Sequence, residues 1–188
     1  MTKTAIVLLA EGAEEMEFVT PVDVLRRAGV HVTVAGIAGS APVKCSRDIS
    51  VVPDEALESA VAKGPFDAVI LPGGLKGSQN LAESAAVGAL VKQQEAEGRI
   101  VAAICAAPTA LKQHGVGKGK KVTSYPSTQA EMEKGGDYTY LQDRVVVDGN
   151  LITSRGPGTA LEFALAITEA LVGKEQADSL ANGMLLKQ

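Results

Sequence analysis

Tryptophan is absent, and aromatic residues make up only 3% of the 188-residue sequence. The core must therefore be aliphatic, because the large aromatic side chains that dominate many cores are scarce. Histidine occurs only at His31 and His114, so few imidazoles are available as bases or metal ligands. Cysteine occurs only at Cys45 and Cys105, without the paired spacing of a zinc site or a disulfide framework. No metal site is expected, and a reducing, cytoplasmic setting fits best. No apolar run is long enough to span a bilayer. The run from Thr4 to Ala10 is too short for a signal peptide and is followed too soon by Glu11, Glu14 and Glu15. The formal net charge is −4, and no basic patch is interleaved with aromatics. Neither a membrane nor a nucleic-acid partner is supported.

The remaining composition is globular: 46% of residues are hydrophobic and 21% charged. One domain over residues 1–188 is expected. Thr4–Ala10 and Asp67–Leu71 read as buried strands, and Val30–Ala35 and Leu151–Ser154 as further strands. Val43–Ser46 and Ile49–Val52 read as a short strand pair. Tyr138–Leu141 and Arg144–Val147 alternate like edge strands. Helices are expected over Glu14–Ala28, Asp54–Lys63, Asn80–Glu97, Ala160–Leu171 and Lys174–Leu185. The first has Met16, Val19, Val22 and Leu25 near one face and Pro21 as a disturbance. Strands alternating with helices predict an α/β sandwich, a mainly parallel sheet with helices on both faces. Sites in such sheets form beyond the carboxyl ends of the strands. Four loops fall there: Glu11–Glu17, Pro72–Gly74, Cys105–Ala107 and Arg155–Gly158.

Arg99–Leu111 carries the most informative of these loops. Ile100–Ile104 is a short apolar strand, Cys105 follows at once, and Pro108 opens a helix. A thiol is thus placed at a strand-to-helix elbow, where unpaired N–H groups favour an anion and lower a cysteine's pKa. The plainer alternative is a small buried hydrophobe. A histidine base is not in reach: His31 lies on a strand, and His114 is about 10–14 Å along the helix from Cys105. His114 is better placed to meet the C-terminal dipole of its own helix. The acids Glu11, Glu14 and Glu15 read as solvated residues of a first helical turn. Glu17 lies between Met16 and Phe18 and can turn inward. A carboxyl buried there would keep its proton and could shuttle it to sulfur. Pro72-Gly73-Gly74 matches neither a Walker loop nor a dinucleotide fingerprint. With the Ala106 N–H, the Gly74 N–H could instead form an oxyanion hole.

Several stretches also carry a family resemblance: Gly12–Glu17, Val43–Asp48, Leu71–Gly74, Ala102–Ala106 and Thr153–Thr159. Together they resemble the DJ-1/ThiJ/PfpI superfamily over essentially the whole chain. The resemblance implies a flavodoxin-like, class I amidotransferase-type fold. It implies a homodimer packed partly through the first helix. Cys105 matches the nucleophilic, oxidation-sensitive cysteine and Glu17 the protonated glutamate beside it. Gly74 and Ala106 match the backbone donors. Arg47 and Pro157 match pocket residues, with Arg47 reaching across the dimer, and Cys45 matches a second, non-catalytic but oxidation-sensitive cysteine near that interface. Tyr125 stands in the pocket where many relatives have histidine. Tyrosine does not serve as a base at neutral pH (free pKa about 10), so proton transfer falls to Glu17. The implied activity is a cofactor-independent deglycase or glyoxalase reaction on methylglyoxal or its early glycation adducts. The alternative is a redox sensor and chaperone in oxidative stress. The resemblance adds nucleus and mitochondrion to the cytoplasm.

Overall fold

The computed structural model describes residues 2–186. In chain order the elements are β1 (Thr4–Leu9), α1 (Glu15–Arg27), β2 (His31–Gly36), β3 (Val43–Lys44), β4 (Ser50–Val51) and β5 (Glu55–Ala56). Then come α2 (Leu57–Val61), β6 (Ala68–Leu71), α3 (Leu75–Glu83), α4 (Ala85–Ala96), β7 (Ile100–Ile104) and α5 (Pro108–His114). The remainder is β8 (Lys121–Val122), α6 (Gln129–Glu133), β9 (Thr139–Tyr140), β10 (Val145–Asp148), β11 (Leu151–Ser154), α7 (Ala160–Val172) and α8 (Lys174–Gly183).

The main sheet has the order β10-β11-β7-β6-β1-β2-β5. Every pairing in it is parallel except the β10–β11 hairpin. The central strands are apolar on both sides because both faces are covered. Side chains alternate between two cores. Ile6, Leu8, Val69, Leu71, Val101 and Ala103 point to one, under α2 to α5. Val7, Leu9, Ala68, Ile70, Ala102 and Ile104 point to the other, where Phe18, Val22 and Leu25 of α1 meet Phe163 and Ile167 of α7. This is the α/β, flavodoxin-like architecture expected from the alternation of strands and helices.

Local expectations differ in four places, while Pro21 acts as expected, as a local loss of one hydrogen bond in α1. The helical stretch expected from Asn80, whole or in two pieces, begins earlier, at Leu75 directly after Gly74, and is in two pieces divided at Ser84, whose hydroxyl accepts from the Val87 N–H. Asp54 does not start a helix. Its carboxylate accepts from the Val34 N–H at 2.8 Å and from Arg26 at 3.0 Å, and β5 follows at the sheet edge. β9 is not an edge of the main sheet but pairs with β8 in a separate ribbon. α1 continues through Pro21, whose missing N–H would have served the Glu17 carbonyl one turn back. Its buried stripe is Phe18, Val22 and Leu25, while Met16 and Val19 are 56% and 51% exposed.

Candidate active site

The carboxyl ends of β1, β6, β7 and β11 bring the four expected loops together. Cys105 is the first residue after β7 and has φ 65, a left-handed conformation that costs a non-glycine residue about 1–3 kcal/mol. Hydrogen bonds impose it. The Cys105 N–H donates to the Ser154 carbonyl at 3.0 Å, and its own carbonyl accepts from the Tyr125 N–H at 2.8 Å. The Ala107 N–H closes the turn on Ile104 at 3.0 Å. The sulfur is thereby turned toward the first turn of α1 and the β6–α3 turn, while the residue stays 9% exposed.

Three groups face this sulfur: the Gly74 N–H, the Ala106 N–H and the Glu17 carboxyl. Glu17 is fully buried. Its Oε2 accepts from the Gly73 N–H at 3.0 Å. Its Oε1 is buried without a hydrogen-bond partner, and the carboxyl as a whole interacts with the Cys105 thiol. Burial is the main cause that raises the Glu17 carboxyl to about 7, and the nearby Glu14 adds to it. Gly73 is the spacer that permits this approach. A methyl group there would lie 2.5 Å from Cys105 Cβ and 2.8 Å from the Ile104 carbonyl, and would overlap Glu17 Oε2.

The thiol does not follow the expectation drawn from its place in the chain. Burial, then an ionised Glu17, push Cys105 up to about 12, against the pull of the Gly74 and Ala106 N–H groups. The helix contributes little: α5 spans only seven residues, and Ala107 provides no side-chain cap. Within the pair, the second charge is strongly opposed by the first.

An open pocket of about 540 Å³ leads to Cys105. Arg47, Tyr125 and Pro157 line it, as does Cys45. At its rim, Lys76 pairs with Glu11 at 2.6 Å and Lys44 with Asp48 at 2.7 Å, both exposed. Arg47 Nη1 donates to the Ser46 carbonyl at 3.1 Å. The Tyr125 ring lies over Gly156, where an added Cβ would be 3.3 Å from its edge. Neither histidine lines the pocket. His114 Nε2 is 3.0 Å from the Leu81 carbonyl of α3, so it serves the neighbouring helix rather than the end of its own. Among the described residues, no group of three or more His, Cys, Asp or Glu side chains could hold a metal ion, and no helix is long and apolar enough to cross a membrane.

Glu15 is the residue that sequence reasoning misplaced. It is 7% exposed, not solvated, and its carboxylate accepts from the Arg47 N–H at 2.5 Å and from Ser46 Oγ at 2.9 Å. The signal was available: Glu15 lies on the same helical stripe as Phe18, Val22 and Leu25.

The model of the DJ-1/PfpI family matches residues 3–170. The chain belongs to the DJ-1/PfpI family. It is 55% identical over 185 residues to the Parkinson disease protein 7 homolog of Danio rerio, covering 98% of each chain. It is 44% identical over 185 residues to the glutathione-independent glyoxalase DJR-1.2 of Caenorhabditis elegans, covering 98% of this chain and 97% of that one. The crystal structure of Drosophila melanogaster DJ-1beta superposes over the full length of both chains, with a TM-score of 0.96 and 54% identity.

Proposed function

We propose that this DJ-1/PfpI domain is a cofactor-independent glyoxalase and deglycase, with Cys105 as nucleophile and Glu17 as proton shuttle. The observation that carries the reading is the fully buried Glu17 carboxyl, which interacts with the Cys105 thiol and keeps one oxygen free of any hydrogen-bond partner. A charge on sulfur is met by the Gly74 and Ala106 N–H groups and by the Glu17 acid proton. A charge on the carboxylate is met only by the Gly73 N–H and the thiol. A buried charge favours the atom with more donors. In this reading the reactive form is the singly charged state with the charge on sulfur and the proton on Glu17; the rise of Cys105 to about 12 applies beside an already ionised Glu17.

The thiolate adds to the aldehyde carbon of methylglyoxal, and the oxygen takes a proton to give a hemithioacetal. The Gly74 and Ala106 N–H groups are placed to hold the oxyanion as it forms. Glu17 carries a proton from C1 to C2 through an enediol, leaving a lactoyl thioester. Water then releases lactate and restores the thiol. C1 is oxidised as C2 is reduced, so no external electron acceptor is required. An early glycation adduct enters at the same hemithioacetal stage, with the protein amine, guanidine or thiol as leaving group. The glyoxalase name of the Caenorhabditis elegans relative supports this class of chemistry. The same sulfur, oxidised, would find those donors waiting, which is the redox-sensing part of the reading.

Met16 and Val19 on α1, and Ile49 and Val52 after the Cys45–Asp48 loop, are exposed apolar side chains. We assign this face to a homodimer, with Arg47 of each copy near the other's pocket. The test of the catalytic reading is lactate formation from methylglyoxal with buffer amines controlled. Cys105→Ala abolishes it, and Glu17→Gln lowers it by about 10²–10⁴-fold, the usual worth of a general acid–base. Unchanged lactate formation in either variant contradicts the reading.

A further inference from the structure

The pocket holds two thiols, Cys45 and Cys105, both buried and both near a glutamate, and Cys105 also has backbone donors. Cys105 faces two backbone N–H donors. Cys45 sits at the start of a loop that is stapled to the β1–α1 turn. The Gly12 N–H donates to the Lys44 carbonyl at 2.8 Å, and the Ser46 N–H to the Ala13 carbonyl at 2.8 Å. The Cys45 N–H closes the loop on the Ile49 carbonyl at 2.8 Å. At the centre of this staple is Glu15, bound to the Arg47 N–H and the Ser46 hydroxyl.

We propose that Glu15 is a positioning residue that biases which thiol of the pocket reacts: its buried carboxylate holds the Cys45–Ile49 loop and fixes a negative charge beside Cys45. This rests on the reading that Cys105 is the reactive sulfur. Burial alone would raise Glu15, but the Arg47 N–H and the Ser46 hydroxyl outweigh it and hold the carboxyl below its ordinary range. Glu15 is therefore charged at neutral pH although it is 7% exposed. Cys45 is pushed up by burial, then by Glu15, then by Glu14. Its own loop adds Lys44, Arg47 and Asp48, but Lys44 is paired with Asp48. Across the pocket, Lys76 is paired with Glu11. The pocket's electrophiles thus meet one sulfur with two backbone donors and a carboxyl that keeps its proton in the proposed reactive form, and one beside the fixed charge of Glu15.

The test is site-resolved mass spectrometry of iodoacetamide labelling on the full chain, from neutral to alkaline pH. Each thiolate displaces iodide, forming a C–S bond as the C–I bond breaks. In the parent protein Cys105 is labelled well before Cys45. Glu15→Gln keeps the shape but removes the charge. It raises the Cys45 rate at neutral pH at least about tenfold and moves the Cys45 profile down by about one pH unit. Ser46→Ala loosens the staple but keeps the charge, so it leaves the midpoint of the Cys45 profile in place. Glu15→Asp restores slow labelling of Cys45. A Cys45 profile unmoved by Glu15→Gln overturns the proposal, as does an equal shift with Ser46→Ala. Parent protein labelled first at Cys45 contradicts the reactive-sulfur reading itself, whatever Glu15 does.

Discussion

Glu17 and Cys105 have to be considered as one titrating unit, because each is buried and each faces the other. The pair keeps its proton up to about 7, whichever atom then bears the charge. An unfolded glutamate has lost its own proton by then, since its free value is about 4.3. Between those values the unfolded chain binds fewer protons than the native one. Stability therefore falls as pH rises through that window and levels above about 7. Glu17→Gln has no such window. Urea midpoints compared at the two ends of the window should show the variant gaining on the parent as pH rises. A constant difference would mean that the native carboxyl is not held protonated.

At the scale of elements, the site depends on one close crossing. The turn between β6 and α3 passes between Glu17 and Cys105 only because Gly73 has no side chain. Gly73→Ala should fold, since the sheet is built elsewhere, but should destabilise the protein by about 1–3 kcal/mol and slow Cys105 labelling by at least about tenfold. Parental labelling kinetics would show that the crossing is slack. The strands were legible in the sequence because the buried ones are continuous apolar runs. The elbow was legible because Cys105 lies between such a run and Pro108. What was not legible depends on tertiary partners. Met16 and Val19 are apolar yet exposed, whereas Glu15 is charged yet buried because the Ser46–Arg47 loop supplies its donors. Hydrophobicity alone therefore placed Val22 and Leu25 of α1 rightly in the core and Met16 and Val19 wrongly beside them. The thiol's electrostatics were likewise hidden, since chain position showed the donors but not the burial that opposes them.

At the scale of the whole molecule, the exposed Met16 and Ile49 stand close in the chain to Glu14 and Asp48, which line the pocket. In the proposed homodimer, assembly through α1 and completion of the pocket would be one event. A charge placed in that face, as in Met16→Lys, should convert a dimer to a monomer in sedimentation velocity and weaken lactate formation with it. A monomeric parent, or a dimer untouched by Met16→Lys, would remove this face from the assembly. The seven-stranded sheet and its two cores would be unaffected, because Met16 contributes to neither.

The most direct measurement is the pH dependence of Cys105 alkylation in a Cys45→Ser background, with Glu17 intact and as Glu17→Gln. If the proton rests on Glu17 and the charge on sulfur, the thiolate forms well below the free-thiol value of about 8.5. Glu17→Gln then shifts its onset to higher pH, because the acid that donates to the sulfur is gone. If the charge instead rests on the carboxylate, Glu17→Gln removes a repulsion and the onset moves down. An upward shift is the predicted result, and a downward one would contradict the proton-sharing pair on which the proposed chemistry depends.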